Sequence, residues 1–126
     1  MKWVPVGLVA LMAMMMGLAL AADIGPRTDV AAIRSALHHS NPTAVVNQSG
    51  VHVVGNYALL GWYDPKARAL GSSWIVFKRI AGERWKQTSI GGGAFQASDL
   101  VQFGVPISIA EQLCPARAPS KVYWCD

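Results

Sequence analysis

Methionine vanishes from this chain after Met16, the last of its five methionines. The run Met12, Met14, Met15, Met16 is therefore read as the flexible apolar core of a targeting segment, and a soft-metal methionine site in the rest of the chain is excluded. Charge is scarce, at 14% of residues. No Gly-x-Ser-x-Gly, Gly-Lys-Ser/Thr or Gly-x-Gly-x-x-Gly pattern occurs, which removes the usual signatures of serine hydrolases, P-loop proteins and dinucleotide enzymes. The seven Asp and Glu residues include no two that imply a carboxylate pair. No acid, base and nucleophile can be named together, so no enzyme is expected and no cofactor is required. The excess of 11 Lys and Arg over 7 Asp and Glu gives +4, too weak and too dispersed to indicate nucleic acid.

What is present begins with an export pattern. Lys2 supplies a positive start, residues 6–20 an apolar stretch, and Ala19-Leu20-Ala21 a small-x-small site cut before Ala22. Residues 1–21 are read as a signal peptide and 22–126 as one exported domain in a periplasm, with the membrane involved only during export. The competing reading is an uncleaved anchor, since residues 4–22 are just long enough to span a bilayer. Cys114 and Cys125 are the two cysteines. In an oxidising compartment their default is an intramolecular disulfide, closing a ring worth roughly 3 kcal/mol in the chain-entropy model. Their spacing matches neither Cys-x-x-Cys nor a common zinc pattern.

The 126-residue length suits one domain. Val30, Ile33, Ala36 and Leu37 recur at helical spacing, with Thr28 or Asp29 as cap and Asn41-Pro42 as stop. The period then changes to two. Residues 44–47, 51–54, 57–63, 72–80 and 85–90 read as strands separated by turn residues, with Gly55-Asn56 and Gly82 supplying the positive φ of tight hairpins. Tyr57, Leu59 and Tyr63 alternate with Ala58, Leu60 and Trp62, so neither face of that strand is polar. Both faces must be covered: one by the first helix, the other by C-terminal helices or by a partner chain. Ser98 is expected to cap a short helix that Gly104 ends, and Pro106 opens another carrying Ile107, Ala110, Leu113 and Cys114 on one stripe. The fold class is α+β: a helix on a meander of four or five antiparallel strands, two short helices and a disulfide-tied tail with little regular structure of its own.

Four groups of residues are candidates for function. Trp62, Trp74 and Trp85 fall on successive strands, where they fill a core or line a ligand pocket. His38, His39 and His52 are the candidate ligands for a surface copper or zinc ion, although adjacent helical residues diverge by about 100° and grip one ion poorly. Lys78, Arg79, Arg84 and Lys86 surround the Ala81-Gly82 turn, either as a platform for an anionic partner or membrane or as charges that discourage strand pairing. Gly91-Gly92-Gly93 sits where a phosphate loop would, but without partners it reads as a bend.

The run Val53-Val54-Gly55-Asn56-Tyr57-Ala58-Leu59-Leu60-Gly61-Trp62, then Trp85 and Gly91-Gly92-Gly93, then Leu100 and Gly104-Val105-Pro106 with Ala110 and Leu113, resembles a group of small exported bacterial proteins, some of them copper uptake system-associated. The architecture is similar to cystatin-like and NTF2-like α+β domains. Where members of the group have a Gly-Gly pair and a Cys, this chain has Leu70-Gly71-Ser72-Ser73 and Ser89-Ile90-Gly91, and no metal ligand carries over position by position. The resemblance implies a non-enzymatic accessory role in a bacterial periplasm beside copper transport, binding a protein or small ligand through the sheet. The alternative is a structural or protein-interaction module, as a monomer or a homodimer, with no metal role.

Overall fold

The computed structural model describes residues 22–66, 73–82, 84–93, 95–114, 116–117 and 122–125. The signal peptide expected at 1–21 lies outside them. Helix α1 spans Arg27–Ser40. It starts earlier than the Thr28 or Asp29 cap predicted: Pro26 takes the cap position with extended backbone, and its carbonyl accepts the Val30 N–H. Pro suits that place because its fixed φ leads into the first turn and it has no N–H to orphan. Asp29 then lies in the first turn, at the positive end of the helix dipole. Val30, Ile33 and Leu37 form the buried stripe, and the chain turns off at Asn41.

Four antiparallel strands follow in spatial order β1-β2-β3-β4: Val45–Val54, Tyr57–Tyr63, Ser73–Arg79 and Trp85–Gly92. The two strand runs expected on either side of Ser49-Gly50 are one strand. Val46 pairs with Trp62 and Val51 with Leu60, so residues 47–50 bulge opposite Gly61. A bulge keeps a strand continuous through extra residues while re-aiming it, and Gly50 at φ 75° supplies the left-handed conformation this one needs. Strand β4 runs on through Gly91 and Gly92, with a second irregularity where Gly91 faces Trp74. The glycine run is thus strand end and bend.

Alternation sorts the side chains into two cores. Val51, Val53, Ala58, Leu60, Ile75 and Phe77 meet the buried stripe of α1. Leu59, Trp74 and Val76, on the opposite face, meet the C-terminal segment. Each fully buried Leu, Ile or Phe here contributes about 1.5–3 kcal/mol of transfer free energy. The question left open by the two-sided strand is answered: the chain covers both faces itself.

The C-terminal segment comprises β5 (Phe95–Gln96), α2 (Ala97–Leu100), a 3-10 turn (Val101–Phe103) and α3 (Ile107–Leu113). Gln96, not Ser98, caps α2. Its side chain and that of Asp99 form a reciprocal capping box, with the Gln96 N–H donating to Asp99 Oδ2 at 2.9 Å. Gly104 ends the turn at φ 88°, as its sequence position predicts. Pro106 precedes α3 as its cap. Ile107 departs from the expected stripe: Val105 is buried in its stead, and Ile107 is 49% exposed. The tail is more regular than expected, for β6 (Ala116–Arg117) and β7 (Val122–Cys125) join β5 in a small sheet ordered β5-β7-β6. The Cys114–Cys125 disulfide joins the end of α3 to β7, with both cysteines inside the second core.

Candidate functional site

Strand pairing decides which predicted site residues meet. Trp62 lies directly opposite Ser73, so Trp74 falls on the other face of the sheet. Trp62 and Trp85 pack against the α1 core, whereas Trp74 is buried in the second. The three indoles therefore do not line one pocket. Trp85 pairs with Arg79, at the opposite end of the sheet from Trp62. The Nε1 atoms of both are buried without an acceptor among the described residues.

The histidines are also apart. His38, near the end of α1, places Nε2 3.0 Å from the Ala44 carbonyl oxygen. His39 is exposed on the neighbouring helix position. His52 faces the second core side, with Nδ1 2.9 Å from the Leu113 carbonyl oxygen and Nε2 2.7 Å from that of Ser49. Both ring nitrogens face backbone carbonyl oxygens, and the one that carries the proton donates, so the ring is packed between the β1 bulge and the end of α3. Among the described residues no three His, Cys, Asp or Glu side chains converge on a metal-sized space.

One buried carboxylate went unnoticed in the sequence. Asp23 has a side chain only 8% exposed, and its Oδ1 accepts from Arg34 Nη2 at 2.8 Å and from the Val51 N–H at 2.9 Å. Ile24 bonds to Val51 and Val53 on the same edge, beside the bulge. Residues 23–24 are thereby fastened to β1, a packing role.

Charge and exposed apolar surface coincide elsewhere, at the β3–β4 hairpin end. Lys78 and Lys86 are directly opposite each other across the two strands. Both are exposed, as is Arg84, and none of these three side chains has an ion-pair or hydrogen-bond partner among the described residues. Ile80, two residues beyond Lys78, is exposed beside the turn. Arg79 points to the other face, where it pairs with Asp29. Tyr57 continues the row from Lys78, and its hydroxyl donates to the Gly104 carbonyl at 3.3 Å. That contact brings the 101–104 turn alongside, with Val101 exposed and Phe103 43% exposed. The cations were visible in sequence. The apolar neighbours were not, because an apolar residue in a short helix-like turn carries no mark of whether it faces in or out.

No family model matches this chain, and no curated protein or solved structure matches it either.

Proposed function

We propose that the chain is a non-enzymatic accessory protein that works in a bacterial periplasm by presenting its surface to a partner, beside copper uptake or handling. The observation that carries this reading is the closure of both sheet faces by the chain's own helices. The apolar interior is occupied by the fold, and recognition is left to exposed groups, among them the three cations and Ile80 of the β3–β4 end. The buried disulfide suits an oxidising compartment. The copper association comes from the strand and turn resemblance and asks for no ligand set within this chain.

The test starts with protein recovered from fractionated cells. The reading expects it in the periplasmic fraction, beginning at Ala22, with the mass of the disulfide form; recovery of a reduced chain from the cytoplasm would sink it. Titration with Cu(II) and Cu(I) against a competing chelator then separates direct copper binding from a role exercised through a partner. A second reading, a dimeric interaction module, is favoured by strand β4, whose one sheet neighbour among the described residues is β3. Such an edge is a template for pairing with another chain. Light scattering that returns the mass of a single chain removes it.

A further inference from the structure

We propose that the β3–β4 hairpin end docks on an anionic phospholipid surface. Lys78, Arg84 and Lys86 meet the headgroup phosphates, while Ile80, Val101 and Phe103 enter the boundary between headgroups and acyl chains. The proposal rests on the reading that this protein acts through its surface, and it extends the chain's dealings with the membrane beyond export.

Charge comes first. Like charges directly opposite on a strand pair oppose folding, and Lys78 and Lys86 hold that arrangement with no carboxylate between them among the described residues. A phosphate placed between the two ammonium groups relieves the repulsion, so an anionic surface has a differential affinity built in. Next comes the alternation of chemistry. Exposed Ile80 follows Lys78 by two residues and its N–H donates to the Arg84 carbonyl at 2.9 Å, and Tyr57 links the lysine row to the turn that exposes Val101 and Phe103. Amphipathic surfaces of this kind combine buried apolar area with attraction to anionic lipids. A bilayer offers phosphate and acyl chain side by side over its whole area and so meets this pattern without shaped complementarity. An acidic protein would need a carboxylate placed opposite each cation.

The experiment uses protein collected from the exported fraction, sedimented with vesicles of phosphatidylglycerol and phosphatidylcholine or of phosphatidylcholine alone. Three surface cations predict binding on the order of 100-fold tighter to the anionic vesicles at low salt, falling steeply as salt is added. The K78E/K86E variant retains a like-charge pair, so its melting temperature stays close to that of the unaltered protein while its preference for anionic vesicles disappears. Phe103→Ser, at an exposed site, weakens anionic-vesicle binding about tenfold with the fold intact. Equal binding to both vesicle types that is indifferent to K78E/K86E overturns the proposal. If no vesicle binds but K78E/K86E abolishes cross-linking to an acidic protein of the same fraction, the lipid partner is wrong and the surface reading stands. If no vesicle binds and cross-linking is unchanged by charge reversal, both fall.

Discussion

Arg79 lies over Trp85, its guanidinium carbon 4.3 Å from the ring centroid, while two of its nitrogens reach both carboxylate oxygens of Asp29 at 3.2 and 3.0 Å. One side chain thereby joins the first turn of α1 to the β3–β4 hairpin. The paired side chains are 21% and 18% exposed, dry enough for the fork to matter and wet enough to be discounted from a buried pair. Arg79→Ala is expected to cost about 2 kcal/mol, a fall of roughly 8–15 °C in melting temperature for a domain of this size. Arg79→Lys should recover part of the loss, since it restores charge without the planar fork. Thermal unfolding followed by near-ultraviolet circular dichroism measures both; an unchanged midpoint for Arg79→Ala would show that the contact contributes nothing.

Helix α1 and the hairpin strands were legible because their signals are local. Val30, Ile33 and Leu37 share a helical face whatever surrounds them, and the two-sided apolar pattern of Tyr57–Tyr63 demands two coverings in any fold. Register is different. Whether Trp62 and Trp74 share a face depends on which residue of β3 lies opposite Trp62, and nothing local sets that pairing. The bulge at 47–50 was hidden for a related reason: Ser49-Gly50 reads as a turn until Asp23 and Ile24, distant in sequence, fasten that strand edge. The disulfide was legible from the expected compartment and the cysteine count, whereas the cation-rich hairpin end needed the Tyr57–Gly104 contact to acquire its apolar half.

Gly50 is the point at which the attachment of residues 22–24 to β1 is most exposed to perturbation. Its φ is 75°, and a Cβ there would lie 2.6 Å from Asp23 Oδ1 and 2.9 Å from the Ala22 carbonyl carbon and oxygen. Gly50→Ala should detach residues 22–24, release Arg34 from Asp23, and cost about 1–3 kcal/mol for the left-handed conformation alone. Hydrogen exchange reports it directly. The amides of Ile24 and Val53, bonded at 2.9 and 2.7 Å across this edge, should exchange more than about tenfold faster, with those of β3 moving far less. Unaltered protection at Ile24 would mean the edge tolerates the methyl group.

Cys114 and Cys125 close a ring within the second core. The C114A/C125A variant loses the cross-link but keeps the site apolar, so the loss of about 3 kcal/mol from chain entropy is not confused with burial of a hydroxyl. Urea unfolding with and without a reductant provides the control. Reductant should lower the midpoint of the unaltered protein and leave that of the variant where it is. Equal midpoints for unaltered protein and variant under oxidising conditions would leave the tail without a need for its bridge.

His52 offers the clearest separation of a structural histidine from a ligand. Whichever ring nitrogen carries the proton donates to the carbonyl oxygen it faces, Leu113 for Nδ1 at 2.9 Å or Ser49 for Nε2 at 2.7 Å, and the other nitrogen lies against the second carbonyl oxygen. For copper to bind either nitrogen, the carbonyl in front of it must move away, which disturbs the end of α3 or the β1 bulge. His52→Phe should therefore destabilise the fold by roughly 1–3 kcal/mol and leave Cu(II) affinity, whatever its value, unchanged within error in a chelator-competition titration. His38 and His39 serve as the internal comparison, since His38→Ala/His39→Ala removes the two other imidazoles from the far end of α1. A tenfold loss of copper affinity confined to His52→Phe would make this residue a ligand and its backbone contacts incidental. A loss of stability without any change in copper affinity fixes it as the strut that joins strand β1 to helix α3.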